Sequence, residues 1–122
     1  MSLIVKRVYE PAATADGYRV LVDRLWPRGL KKQEAVLDLW AKELAPSSAL
    51  RQWFGHEPAR WEGFRHRYAA ELDATVEYWR PLAARAVHQP VSLLFGARDE
   101  QYNNAIALKM YLDAWLRVHG PR

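Results

Sequence analysis

The chain has 122 residues, half of them hydrophobic, with a net charge of +4 and no Cys. This length is that of one domain with its own core, and the lack of Cys excludes disulfides, thiolate metal sites and a cysteine nucleophile. No apolar run approaches the roughly 20 residues of a membrane span, and "MSLIVKRV" becomes charged too soon for a signal peptide. We therefore expect one cytoplasmic domain, 1–122, without a membrane partner.

The first third of the chain predicts two strands and one ambiguous segment. The apolar runs at 3–8 and 18–23 indicate strands, and the unbroken run from Val20 to Val22 is typical of a strand buried on both faces. Residues 9–17 contain Pro and Asp-Gly and predict a loop. Residues 35–44 fit either a strand or a short helix, of which we favour the strand.

The rest of the chain predicts helices around one further strand. The predicted elements are helices at 48–54, 58–72, 75–88 and 100–119 and a strand at 90–97. Ser47 or Ser48 can cap the first of these helices, and Asp73 or Thr75 the third. Pro81 should kink or split the third helix. The apolar stripes of the helices, such as that formed by Trp61, Phe64, Tyr68 and Leu72, are more typical of a core than of a cofactor site.

Strands that alternate with helices predict an α/β fold, with a small and at least partly parallel sheet flanked by helices. One feature leaves the topology open. The nine-residue loop between the first two strands is short for a parallel crossover, which usually takes a dozen or more residues. Those strands are therefore either antiparallel or joined by an extended loop in place of a helix.

The segment "DRLWPRGLKK" at 23–32 contains an unusual concentration of charge. Arg24, Arg28, Lys31 and Lys32 occur without an acid between them, so this short run carries as much positive charge as the net charge of the chain. The arginine guanidinium offers a planar fork of donors that suits phosphate and carboxylate groups. The alternative is that the cluster is a solvated loop, as lysine and arginine runs commonly are.

A second polar segment, "GARDEQYNN" at 96–104, follows the strand at 91–95. If that strand and 18–23 are parallel, both polar segments lie at the carboxyl edge of the sheet, where open α/β sheets bind ligands. A helix beginning near residue 100 would add free N–H groups that favour an anion.

These two segments and one isolated histidine supply the candidate site residues. The candidate ligand-binding residues are Arg24, Trp26, Arg28, Arg98, Asn103 and Asn104, and the candidate acid–base residues are Asp23, Asp99 and His56. The arginines would form charge-assisted hydrogen bonds, and the carboxylates would orient them or transfer protons.

Each candidate also has a structural interpretation. Asp99 fits an N-cap, and the asparagine pair fits backbone hydrogen bonding. Trp26 is more typical of a plug against the core than of a ligand-stacking ring. An isolated loop histidine such as His56 more often forms a cap or hydrogen bond than acts as a base. Gly29 is expected to supply a positive φ.

Several common functional motifs are absent from the sequence. There is no GxGxxG, GxxxxGK[ST], GxSxG or HExxH, and the histidines lack metal-ligand spacing. These absences argue against a dinucleotide enzyme, a P-loop NTPase, a serine hydrolase of the elbow type and a zinc peptidase. We therefore predict no cofactor and no metal.

Three segments match a known family in order and spacing: "VLVDRLWPRG", "LAPSSALRQWFGHEPARWEGFRHRYAAEL" and "VSLLFGARDEQYNNA". They resemble the YeaO-like branch of a bacterial family, domain of unknown function 488, over residues 3–117. The resemblance implies a small cytosolic α/β domain and brings no established activity. The broader branch of the family has C-x-E and then C-H-R after the corresponding strand, where this chain reads "GAR" at 96–98 and "YNN" at 102–104. The resemblance therefore gives no ground for thiol or metal chemistry here.

Two functions of different classes remain open from the sequence. The first is an enzyme or binding domain for a small anionic ligand, phosphate-bearing or nucleotide-like, at the carboxyl edge of the sheet. The alternative is a nucleic-acid-binding module that uses the basic loop from Arg24 to Lys32. A third interpretation is purely structural, with Asp23–Arg28 or Arg24–Asp99 ion pairs tying loops together. The sequence favours the first function and predicts no oligomeric state.

Overall fold

The computed structural model describes residues 2–121, which form one sheet with its longest helices on one face. Within these residues the strands are β1 Leu3–Arg7, β2 Tyr18–Leu21, β3 Leu39–Trp40 and β4 Val91–Phe95. The helices are α1 Lys32–Ala35, α2 Ser48–Phe54, α3 Trp61–Asp73, α4 Val76–Ala86 and α5 Asn104–His119. Short 3₁₀ turns cover Thr14–Asp16, Lys42–Leu44 and Pro58–Arg60.

The sheet is parallel throughout, in the order β1-β4-β2-β3. The predicted α/β fold is confirmed, and so is the pairing of the second and fourth strands, which align Tyr18 with Val91 and Leu21 with Leu94. Because β4 lies between β1 and β2, the loops that follow all three strands emerge at one edge of the sheet.

The direction of the first two strands is now settled. Both pair with β4 in parallel, so the antiparallel alternative is wrong, and residues 8–17 cross the sheet as a loop with one 3₁₀ turn. Gly17 makes this short route possible, because its φ is 65° and an added Cβ would lie 2.1 Å from the carbonyl oxygen of Pro90. The chain can therefore turn tightly into β2 beside the start of β4.

A buried ion cluster fixes this crossover on the face of the sheet opposite the long helices. Asp16 pairs with the Arg19 guanidinium and with Lys6, whose Nζ lies 3.0 Å from Asp16 Oδ1. The Ser92 hydroxyl donates to the Asp16 carbonyl at 2.7 Å. Burial alone would raise the pKa of Asp16, but the Ala13 N–H and the two cations hold it below its ordinary value. These ion pairs and hydrogen bonds thus hold the crossover loop in place without a crossover helix.

The ambiguous segment at 35–44 is mostly not a strand. Only Leu39–Trp40 pairs with β2, after the single turn of α1 and before the 3₁₀ turn at Lys42–Leu44. Val36 ends α1 in the left-handed region, with a φ of 48°. Arg19 then fixes the bend, because its guanidinium donates to the Ala35 and Val36 carbonyls at 2.8 and 2.9 Å.

The helices follow the predicted pattern with four differences. Ser47 caps α2, as expected, by accepting from the Leu50 N–H at 3.1 Å. Pro58 lies in a 3₁₀ turn, and α3 begins only after it. The helix α4 runs through Pro81 without a break, so the predicted split is absent, and Thr75 at its N-cap forms no capping side-chain bond. The last helix begins at Asn104, later than predicted.

The main core lies between the sheet and α2 to α5. Its buried members include Val20, Val22, Leu93, Phe95, Phe64, Tyr68, Leu72, Trp79, Leu108 and Leu112. The opposite face has a smaller cluster of Val8, Leu21 and Leu94 under Trp26, Leu30, Leu37 and Trp40. The rigid packing of β2, β4 and α5 sets the position of the loops at the carboxyl edge.

Candidate functional site: an arginine-lined cavity

A cavity of about 740 Å³ opens at the carboxyl edge of the sheet. Three segments supply most of its wall: 23–28 after β2, 45–56 through α2, and 96–104 between β4 and α5. The end of β1 contributes Arg7 and Tyr9. The predicted meeting of the loops after residues 23 and 96 is therefore observed, at the edge where parallel α/β sheets bind ligands.

Asp23 holds the two loops together at the base of the cavity. Its Oδ2 accepts from the Gly96 N–H at 2.9 Å, and its Oδ1 accepts from Asn104 Nδ2 at 3.1 Å. The same Asn104 nitrogen also donates to the Val22 carbonyl at 3.0 Å. Burial raises the pKa of Asp23, although these hydrogen bonds and the nearby Arg51 act to lower it. This carboxylate joins β2, β4 and α5 in one polar contact.

The cavity is strongly basic. Its wall contains five arginines and one carboxylate, that of Asp23. The arginines are Arg7, Arg24, Arg28, Arg51 and Arg98. Among residues 2–121, none of the five has a carboxylate within 4.0 Å of its guanidinium. Arginines that line a concave surface without acidic partners leave their donors available to an anion.

Two of these guanidiniums are held by loop carbonyls, and we call them the inner arginines. Arg7 Nε donates to the Ala97 carbonyl at 2.9 Å, and Arg24 Nη2 donates to the Ala45 and Pro46 carbonyls at 3.3 and 3.4 Å. Both side chains are half-buried. Arg24 Nε is buried and has no hydrogen-bond partner among the described residues. A buried N–H that lacks a partner is costly.

The other three, Arg28, Arg51 and Arg98, are exposed, and we call them the outer arginines. In the part of the chain that the structure describes, their side chains form no hydrogen bond to the protein. The backbone of Arg28 is nonetheless fixed, because Tyr9 donates its hydroxyl to the Arg28 carbonyl at 2.6 Å. Gly29 follows with a φ of 75°, as predicted for this turn.

Trp26 anchors the loop after β2, which agrees with its predicted role as a plug. Its ring packs edge-on against Trp40, with centroids 5.3 Å apart, and its Nε1 donates to the Leu30 carbonyl at 2.7 Å. Trp40 Nε1 in turn donates to the Asp23 carbonyl at 2.8 Å. Trp26 also contributes to the cavity wall, so its predicted contact with a ligand stays a prediction.

Asp99 and Asn103 shape the turn before α5. Asp99 Oδ1 accepts from the Tyr102 and Gln101 N–H groups, at 3.0 and 2.8 Å, and these two bonds hold the pKa of Asp99 below its ordinary value. The N-cap of α5 is Asn103, whose Oδ1 accepts from the Ile106 N–H at 2.9 Å. The structural alternative for Asp99 as an N-cap of α5 is therefore wrong, and Asp99 lies outside the cavity wall.

His56 lies on the rim of the cavity in a strained conformation. Its φ is 57°, which is uncommon for a residue other than glycine, and its side chain is exposed. No hydrogen bond from this side chain is found among residues 2–121, so the expected capping bond is absent. Its proposed acid–base role, like those of Asp23 and Asp99, stays a prediction.

The structure brings together most of the residues that the sequence singled out. Eight of them line the cavity: Asp23, Arg24, Trp26, Arg28, His56, Arg98, Asn103 and Asn104. The suggested Asp23–Arg28 and Arg24–Asp99 ion pairs do not form within the described residues. Sequence reasoning missed Arg7 and Arg51. Arg7 is the last residue of β1 and could have been found from its strand position, whereas nothing local distinguishes Arg51.

Residues 2–121 contain neither a metal-binding cluster nor a membrane-spanning helix. No group of three or more His, Asp or Glu side chains is arranged so that it could hold a metal ion. None of the helices in this range has the length and hydropathy of a membrane span.

The chain is similar to proteins whose names report no activity. It is 46% identical to the uncharacterised protein YeaO of Escherichia coli (strain K12) over 112 residues, which are 92% of this chain and 97% of that protein. It is 44% identical to uncharacterised proteins of Mycobacterium bovis and Mycobacterium tuberculosis over 90 residues, which are 72% of this chain and 76% of each relative. No solved structure matches it significantly.

The family match covers nearly the whole chain. Residues 2–120 match the family described as "Inactive DUF488-N3 subclade". The segments that carry the resemblance in the sequence, including the loops after β2 and β4, fall within this range. The chain therefore belongs to the YeaO-like group of the DUF488 family.

Proposed function

We propose that this protein binds a small anionic ligand that bears a phosphate group, in the arginine-lined cavity, without converting it chemically. The observation that carries the proposal is the convergence of five arginines, none with a carboxylate partner among residues 2–121, on one cavity at the carboxyl edge of a parallel sheet. Guanidinium groups bind phosphate through paired, charge-assisted hydrogen bonds. The N-terminus of α5, whose first residue Asn104 lines the same cavity, adds a favourable dipole.

Binding without catalysis is supported by the hydrogen bonds that the acidic residues accept. Both oxygens of Asp23 accept hydrogen bonds that tie loops together, and Asp99 accepts two backbone bonds in its own turn. The chain also lacks Cys, so no thiolate is available as a nucleophile. The description of the matching family as inactive points in the same direction.

The positions of the four cations in the basic loop favour a binding cavity over a nucleic-acid-binding surface. Arg24 and Arg28 belong to the cavity wall, whereas Lys31 lies 4.0 Å from Glu34 and Lys32 lines a different depression beside Trp26. A surface that tracks a phosphate backbone needs its cations along one face. Only two of the four cations of the loop belong to the cavity wall, which weakens the alternative.

Isothermal titration with inorganic phosphate, supported by thermal shift, tests the proposal. Native-state binding must raise the melting temperature. We expect Arg24→Gln to weaken phosphate binding by about tenfold or more, since a charge-assisted hydrogen bond contributes about 1.5–3 kcal/mol. Lys31→Gln is the matched control, because it removes one cation of the same loop outside the cavity.

The opposite pattern would contradict the proposal. If phosphate does not bind, while a short DNA or RNA duplex binds with a steep salt dependence and loses affinity in Lys31→Gln, the protein is a nucleic-acid module. If phosphate binds and Arg24→Gln and Lys31→Gln weaken it equally, the anion is held by the surface charge of the loop. In either case the cavity would not be the site.

A further inference from the structure

The positive charge of this protein is concentrated in the cavity. The five arginines and Asp23 give its wall a formal charge of +4, which equals the net charge of the whole chain. Removing these six residues from the chain's 18 basic and 14 acidic residues leaves 13 of each, so the rest of the chain is formally neutral. A single phosphate ester carries at most about two negative charges at pH 7. One such group would leave half of the cavity charge unbalanced.

The arginines of the cavity wall form two groups that differ in burial, and we call these groups levels. The inner arginines, Arg7 and Arg24, are half-buried and fixed by carbonyls of the loops at 96–97 and 45–46. The outer arginines are exposed and have no side-chain hydrogen bond to the described part of the protein. The cavity of about 740 Å³ is within the size range of sites that hold whole metabolites. Its volume is larger than a single phosphate ion needs. A ligand that satisfies both levels needs anionic groups at both.

We infer that the ligand carries two or more linked phosphate groups, as in a diphosphate or triphosphate ester. One phosphate group binds the guanidinium groups of the inner arginines. The next phosphate group binds outer arginines at the mouth of the cavity. Close cations repel one another in the empty cavity, so a ligand with several charges gains more from binding than one with a single charge. This inference rests on the proposed function and specifies its ligand.

The test compares orthophosphate, pyrophosphate and tripolyphosphate by isothermal titration at pH 7 and one fixed ionic strength. We expect pyrophosphate to bind about tenfold or more tightly than orthophosphate, because a second anionic group adds at least one charge-assisted contact. Fixed ionic strength keeps screening equal across the three probes.

Variants of the two levels separate a built site from general attraction. Arg98→Gln removes an outer arginine and should abolish most of the pyrophosphate advantage, because it weakens pyrophosphate binding more than orthophosphate binding. Arg24→Gln should weaken both probes. Arg117→Gln, an exposed arginine in the last turn of α5, is the control and should change neither.

Three results would overturn the inference, in distinguishable ways. Equal affinities for orthophosphate and pyrophosphate would show a site for one phosphate, leaving the proposed anion-binding function intact. An affinity that rises with probe charge but falls equally in Arg98→Gln and Arg117→Gln would show attraction to the protein's overall charge alone. Failure of all three probes to bind would remove the proposed function as well.

Discussion

Arg19 and Arg98 are arginines of opposite kinds, and replacing each with Gln separates a structural guanidinium from a ligand-binding one. Arg19 is only 3% exposed, pairs with Asp16, and donates to two loop carbonyls. Arg98 is exposed on the cavity wall and has no ion pair within the described residues. The two substitutions remove the same charge, so any difference between them reports the environment of the side chain.

The expected magnitudes differ strongly. Removing one partner of a buried ion pair costs about 3–5 kcal/mol when the other charge is left without compensation. Lys6 still pairs with Asp16 after Arg19 is replaced, so the low end of this range applies. Arg19→Gln should therefore lower the free energy of unfolding by about this amount, with phosphate affinity preserved in the fraction that stays folded. Arg98→Gln should change stability by less than about 0.5 kcal/mol, as surface substitutions usually do, and weaken pyrophosphate binding by about 1.5–3 kcal/mol.

Urea unfolding followed by tryptophan fluorescence measures the stability change, since the chain has six Trp. Titration calorimetry with pyrophosphate measures the binding change on the same samples. The reasoning is refuted if Arg98→Gln loses as much stability as Arg19→Gln while its binding is unaltered. The arginines of the cavity would then be structural ties.

Three further predictions concern single residues around the sheet. The pKa of Asp16 is lowered in the folded state, so its stabilising contribution is full above its ordinary pKa of 3.8 and is lost as the pH falls through the folded-state value. Asp16→Asn should therefore be less stable than the parent at pH 7, and its free energy of unfolding should fall less steeply at acid pH. Gly96→Ala should cost about 1–3 kcal/mol in urea unfolding and weaken phosphate binding, because its Cβ would meet Asp23 Oδ2 at 3.1 Å and Pro27 Cβ at 3.3 Å; an unchanged midpoint would show that these loops yield easily. His56→Gly should be more stable than His56→Ala in thermal unfolding, since only glycine relieves the left-handed backbone at a φ of 57°; the reverse order would contradict the strain assignment.

The parallel sheet and its functional edge could be predicted because their signals are local. Buried strands are continuous apolar runs, as at Val20 to Val22 and 91–95, and the polar segments after them mark the carboxyl ends. Once those two strands are parallel neighbours, geometry brings Asp23, Arg98 and Asn104 to one cavity. Most of the candidate residues follow from this single step.

What could not be predicted depends on contacts between distant parts of the chain. The strand at 35–44 shrinks to Leu39–Trp40 because Arg19 binds the carbonyls of residues 35 and 36 and bends the chain there. The predicted start of α5 differs from the observed one because Asp99 and Asn103 are both good capping residues. Only the turn between them decides which one caps the helix. Arg51 joins the cavity through the docking of α2, for which no local pattern exists.

The most direct test of the central claim is nuclear magnetic resonance of the arginine Nε–H groups during titration with pyrophosphate. The Nε–H of Arg24 should shift saturably as a phosphate group binds its guanidinium, together with the Nε–H of Arg98. The Nε–H of Arg19, already bonded to the Val36 carbonyl at 2.9 Å, should stay unchanged and serves as the internal control. Saturable shifts confined to the backbone around Lys31 and Lys32, or no saturable shift at Arg24, would contradict the claim that the cavity is an anion-binding site.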